Sequence, residues 1–161
     1  MHRICHTRQS GATIVEMAII TPVFLLLLLG LIEFGLMFFT TLTMQYAVRE
    51  GARYAVTGQS NLDPNSANQQ HYAAVIQKIR NNSMGLYDRL GKDGTSGPTI
   101  SVNGTTYQSS TYGNTMFGTA GSIVVLQLDC YWKVTTPLVA AFFQDGQYHF
   151  KVGATMRNEL F

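Results

Sequence analysis

The chain has 161 residues, room for one ordinary domain plus an appendage, and that length excludes a large multidomain enzyme. Hydrophobic residues make up 46% and charged residues only 12%, against about 25% charged in an ordinary soluble domain, and the mean hydropathy is +0.07, which excludes a disordered chain. Eleven Lys and Arg against nine Asp and Glu leave a net charge of +2, too small a surplus for the counterion release that drives nucleic-acid binding, so no nucleic-acid partner is expected.

The apolar excess is concentrated. Met17 to Phe39 (MAIITPVFLLLLLGLIEFGLMFF) has Glu33 as its only charged residue, and as a helix it reaches roughly 35 Å, enough to cross a hydrocarbon core of about 30 Å. A secretory signal core would run about 7–15 apolar residues and end at a small-residue cleavage site. Here the apolar run continues into Thr40 to Met44, which marks a retained anchor in a single-pass protein. Arg3 and Arg8 precede the run with no acid before Glu16, whereas Arg49, Glu50 and Arg53 follow it as a mixed cluster. The basic bias places the N-terminus in the cytoplasm and the remainder outside the membrane.

The segment TMQYAVREGARYAVTG contains no proline and no turn cluster before Gly58, so the helix is expected to continue from 12 to 57, roughly 69 Å by the standard rise. Pro22 lies inside it and either kinks the helix or is tolerated as membrane prolines are. Ala47, Gly51 and Ala55 recur every four residues, candidate packing contacts for a sheet or second helix, or simply helix-friendly small residues. Residues 58–161 are expected to form the external α+β domain. In it Asn65 or Ser66 caps a short amphipathic helix carrying Tyr72, Val75, Ile76 and Ile79 and ending near Asn82. Gly85 to Pro98 reads as a mobile surface loop. Thr99 to Tyr107 holds Asn103-Gly104, a tight hairpin signal. Val124 to Val134 and Tyr148 to Met156 alternate apolar and polar residues, the pattern of two antiparallel strands with one face on a helix. Between them PLVAAFF predicts a short helix with Thr136 as cap and Pro137 in its first turn.

Little here points to catalysis. Cys5 and Cys130 fall on opposite sides of the membrane, so Cys130 is expected to be a buried small hydrophobe. His2, His6, His71 and His149 share no ligand spacing with cysteines or carboxylates, so no metal site is expected. There is no G-x-S-x-G elbow, and Gly91 to Gly97 lacks the context of a phosphate loop. Neither a catalytic residue nor a cofactor is expected. Glu33 must reach the outer interface, pair within an assembly or be protonated. Glu16, at the edge of the apolar run, is the informative carboxylate, either held for a role or snorkelling to water.

RQSGATIVEMAIITP places Gly11 behind a short basic leader and Glu16 five residues beyond it. This arrangement resembles a type IV prepilin cleavage site. Within that superfamily the chain most resembles the TadE-like minor pilins of tight-adherence (Tad, or Flp) pili: GATIVEMAIITPVFLLLLLGLIEFG resembles their anchor, AVREGARYAV the segment that follows it, and GATMRNEL the family's end. Met17 departs from the aromatic that major pilins carry after the glutamate, in keeping with a minor component. The resemblance implies removal of residues 1–11 by a prepilin peptidase, a new N-terminus at Ala12, and pairing of Glu16 with a neighbour's terminal amine. It further implies other major and minor pilins and the Tad inner-membrane assembly platform as partners, with lipid around the anchor before assembly. The protein would pass from the bacterial inner membrane to a surface fibre used for adherence, biofilm formation or secretion. Loss of Arg3 and Arg8 would leave nine basic against nine acidic side chains, a neutral subunit that stacks without net repulsion. The expected architecture is α+β and pilin-like, a long N-terminal helix whose outer half packs on a small antiparallel sheet. An uncleaved single-pass assembly factor of the same apparatus is the alternative, and a membrane-anchored extracytoplasmic enzyme a more distant one.

Overall fold

The computed structural model describes residues 10–159 apart from Ser66, Asp93, Gly94 and Ser96. Arg3, Cys5, Arg8 and the leader up to residue 9, together with the Ser66 cap, lie outside the described residues. One helix, α1 (Ser10–Val56), dominates the chain and continues through Pro22 as a single element. It stops where Gly58 was expected to stop it. The Thr57 hydroxyl and backbone N–H both turn back onto the Tyr54 carbonyl, and the backbone N–H of Glu159 donates to the Val56 carbonyl at 3.2 Å, so the far end of the chain closes the helix terminus.

The external domain follows as α2 (His71–Asn82), β1 (Thr99–Val102), β2 (Thr105–Tyr107), β3 (Ile123–Lys133), α3 (Pro137–Ala140) and β4 (Gln147–Arg157). The strands form one four-stranded antiparallel sheet in the order β2-β1-β3-β4. β3 and β4 pair along their whole length, from Ile123 opposite Arg157 to Lys133 opposite Gln147. The hairpin between β1 and β2 turns at Asn103 (φ 51°) and Gly104 (φ 81°), the two left-handed residues that a tight type I′ turn requires. Asn103 also extends the ladder, donating its N–H to the Val125 carbonyl while its side chain accepts from the Val125 N–H at 2.8 Å.

The alternation read in the sequence sorts the faces: Val124, Leu126, Leu128 and Cys130 of β3 and Phe150 and Val152 of β4 are buried, while Asp129 pairs with Lys151 at 3.0 Å and His149 at 3.2 Å on the other face. Burial pushes the Cys130 thiol up to about 12 from its ordinary 9.0, so it stays protonated at neutral pH. Inside the domain α1 buries Met37, Thr40, Met44, Ala47, Val48, Ala52 and Ala55, positions mostly three or four residues apart, which is one face of a helix. Helix α2 packs on the same part of α1. A Cβ at Gly51 would collide with Cγ1 of Ile79, so the missing side chain is what admits α2 at that distance.

Three local expectations are revised. Helix α2 starts at His71 with Gln70 at its cap position and no side-chain cap. Asp63 organises the approach instead, accepting the N–H groups of Asn65 (2.9 Å) and Gln70 (2.6 Å). The Gly85 to Pro98 stretch is no mere surface loop. It holds a 3-10 turn, Tyr87–Arg89, and drives Tyr87 (3% exposed) and Leu90 (0%) into the core. Its composition announced a loop, but glycines around two large apolar side chains allowed a plug. Thr136 precedes α3 without capping it, because its hydroxyl is engaged elsewhere.

Gly51→Ala is expected to destabilise the detergent-solubilised full chain by about 1–2 kcal/mol through overpacking, despite the gain of about 1 kcal/mol that alanine brings over glycine within a helix. Urea midpoints check this, and combining it with Ile79→Ala should cost less than the sum of the two single losses.

Candidate functional site

Helix α1 lives in two environments. From Gly11 to Ile32 its residues stand clear of the domain, and large side chains such as Ile19 (67%), Leu27 (65%) and Leu31 (73%) are left exposed. A surface this long and apolar is not stable in water, since each large side chain forgoes about 1.5–3 kcal/mol of burial. The helix is long and apolar enough to cross a membrane. Glu16 is the only charged residue in that free stretch and is exposed. Gly11 and Ala12 sit in its first turns, likewise uncovered, and Pro22 lies midway along it. Pro22 has no N–H to offer the preceding turn, which leaves one carbonyl without its helical donor.

The second environment begins at Glu33. Its carboxylate is 3% exposed, accepting the backbone N–H of Thr135 at 3.1 Å with one oxygen and the hydroxyl of Thr136 at 3.0 Å with the other. Both donors lie where β3 ends and α3 begins, so a residue of the apolar run fastens the lower end of the sheet to the helix. None of the three roles expected for Glu33 included this intrachain dock. Among the described residues no cation pairs with it. Hydrogen bonds to a charged acceptor are the stronger kind, and one aimed from a backbone N–H fixes position as well as energy. Beside the carboxylate, Met37 packs with Val134 and Val139 in a small apolar cluster. Higher up, the Gln45 side chain donates to the Gly153 carbonyl at 2.9 Å, and Glu159 meets Val56 at the top. Three polar ties thus pin α1 along the sheet from bottom to top.

The small-residue positions lie inside this docked half: Ala47, Gly51 and Ala55 are buried, with Gly51 under Ile79. Of the cluster beyond them, Arg53 pairs with Glu50 at 3.4 Å within one exposed helical turn, a weak surface contact. On the outer sheet face His149 stacks on Tyr131 with ring centroids 4.5 Å apart and touches Asp129. No cysteine or serine joins that pair in these contacts, and among the described residues no group of three His, Cys, Asp or Glu is placed to hold a metal. Sequence reasoning missed the Thr135-Thr136 partner of Glu33. The available signal was Thr-Thr-Pro at a strand end, two donors presented just before a residue that starts a helix.

A family model described as TadE-like protein matches residues 11–53. No curated protein and no solved structure matches the chain. The match spans the free half of α1 and most of the docked half and stops short of the sheet, so the terminal GATMRNEL falls outside it. Over the helix, the resemblance read from the sequence holds.

Glu33→Ala is expected to cost the full chain about 2–3 kcal/mol, since it removes two buried hydrogen bonds and strands the Thr135 N–H. Thr136→Val should cost about 1 kcal/mol, and the double variant less than the sum. Urea midpoints give the energies, and faster amide exchange at Thr135 in Glu33→Ala would locate the loss.

Proposed function

We propose, for a chain whose N-terminal helix is TadE-like over residues 11–53, that it is a minor structural subunit of a Tad (Flp) type IV pilus. It is made as a single-pass protein of the bacterial inner membrane with its N-terminus cytoplasmic and its domain outside. A prepilin peptidase cuts after Gly11, and the processed subunit enters or primes a fibre used for adherence, biofilm formation or secretion. Its partners are the peptidase, other major and minor pilins and the Tad inner-membrane assembly platform, and its role is structural rather than catalytic.

The observation that carries this reading is the uncovered half of α1 with one charge in it. From Ala12 to Ile32 the helical rise gives roughly 30 Å, the thickness of a hydrocarbon core. Such a helix suits lipid before assembly and the apolar flanks of neighbouring helices afterwards. Glu16 lies one turn from Ala12, so in a bundle of such helices the carboxylate of one subunit lies within reach of the terminal amine of another. An unpaired carboxylate in that apolar setting is costly, which disfavours subunits inserted out of register. The pairing selects axial position, while the apolar surface supplies most of the cohesion.

The experiment is the intact mass and N-terminal sequence of the full chain expressed with and without a matching prepilin peptidase. A peptidase-dependent start at Ala12, abolished by Gly11→Val, is expected. Glu16→Ala should still be cut and should be depleted from purified fibres at least tenfold. Retention of Met1 under both conditions would overturn the pilin reading in favour of an uncleaved membrane assembly factor.

A further inference from the structure

The lower end of the domain carries an apolar tip that the docking of α1 does not use. Immediately after the two threonines that hold Glu33, the chain runs Pro137 to Phe143 as PLVAAFF, without a charged residue. One side of this segment is committed: Val139 is buried with Met37 and Val134, and Phe143 packs edge-on against Tyr148 with centroids 6.0 Å apart. The other side is bare. Leu138 is 60% exposed and Phe142 88%, a large apolar pair on a short turn that none of the described residues covers.

Its position gives this pair its meaning. β3 starts near the top of α1, where Asn158 bonds to Ser122 and Glu159 to Val56, and ends at the bottom, where Thr135 and Thr136 meet Glu33. The turn that follows lies at the level of Glu33 to Met37, the lowest part of the domain and next to the last turn of the free apolar helix. At the same level α1 itself exposes Leu31, Phe34 and Phe38, so the turn and the helix both present apolar side chains at the height where the free stretch of α1 ends. A patch this small is too little for a stable protein interface, but two such side chains in the headgroup and acyl boundary lose the cost of their hydration.

We infer that Leu138 and Phe142 form a lipid-contacting foot, inserted into the outer interface of the bilayer beside the point where α1 emerges. The inference rests on the membrane anchoring proposed above. The foot holds the domain upright on the membrane before assembly, and leaving the bilayer requires its withdrawal along with the helix.

The full chain in phosphatidylcholine vesicles tests it. Trp132→Phe removes the single native tryptophan, and one tryptophan is then placed at Phe142, at Leu26 in the free helix, or at Ile123 near the top of the sheet, all exposed positions. Lipids brominated near the headgroup end of the acyl chain should quench the Phe142→Trp emission at least twofold, Leu26→Trp should be quenched by deeper bromines, and Ile123→Trp should be untouched. Quenching at Leu26→Trp with none at Phe142→Trp would overturn the foot and leave the anchor standing, and would point to a neighbouring subunit as the occupant. Absence of quenching at Leu26→Trp would overturn the anchoring and the foot together.

Discussion

A carboxylate in the middle of an apolar run divides this molecule. Glu33 is bonded to Thr135 and Thr136 at 3.1 and 3.0 Å, and everything C-terminal to it on α1 is engaged by the domain on one face, whereas everything before it stands free. Charge burial is expensive unless it is satisfied. This one is satisfied by donors that lie about a hundred residues away in sequence, so the helix and the sheet can meet in only one axial register. The stripe of Met37, Met44, Val48, Ala52 and Ala55 supplies area but would tolerate sliding; the polar ties at Glu33, Gln45 and Val56 do not.

The same division gives one helix two functions. Its outer half is the spine of an α+β domain, packed by β3 and β4 on one side and by α2 through the gap at Gly51. Its inner half is a surface made for apolar surroundings, with one carboxylate, Glu16, near its start. On the proposed reading those surroundings are first lipid and then neighbouring helices, and the domain rides along unchanged because, among the described residues, the buried positions of α1 begin at Glu33. A fold built this way separates assembly chemistry from domain stability, and substitutions in the two halves should affect different properties.

Much of this was legible in the sequence. The helix, the two long strands and the Asn103-Gly104 hairpin each follow from a local pattern with a single period or turn chemistry, and such patterns survive without tertiary context. The approach of α2 was half legible, since the Ala47, Gly51 and Ala55 spacing marks where a neighbour fits without saying which. What stayed hidden depended on distant partners. Thr136 reads as a cap because the sequence before Pro137 says so, but Glu33 competes for its hydroxyl. Tyr87 and Leu90 sit among glycines that announce a loop, and only the three-dimensional core shows that they fill it. Asp63 replaces the expected cap of α2 by bonding two backbone N–H groups ahead of the helix, a geometry that no spacing rule contains. For the candidate site, Glu16 and Gly11 stand out locally as motif residues, whereas the use of Glu33 needs the domain to be seen.

The account stands or falls on where α1 changes environment. Single cysteines placed at Leu31 and Leu42, both exposed on the helix, in a full chain with Cys5→Ser and in vesicles open to reagent on both sides, can be titrated with a membrane-impermeant maleimide, Cys130 being buried. The account predicts protection at Leu31→Cys and rapid labelling at Leu42→Cys, with the step falling between them. Equal labelling at the two positions, or protection extending through Leu42→Cys, would contradict it.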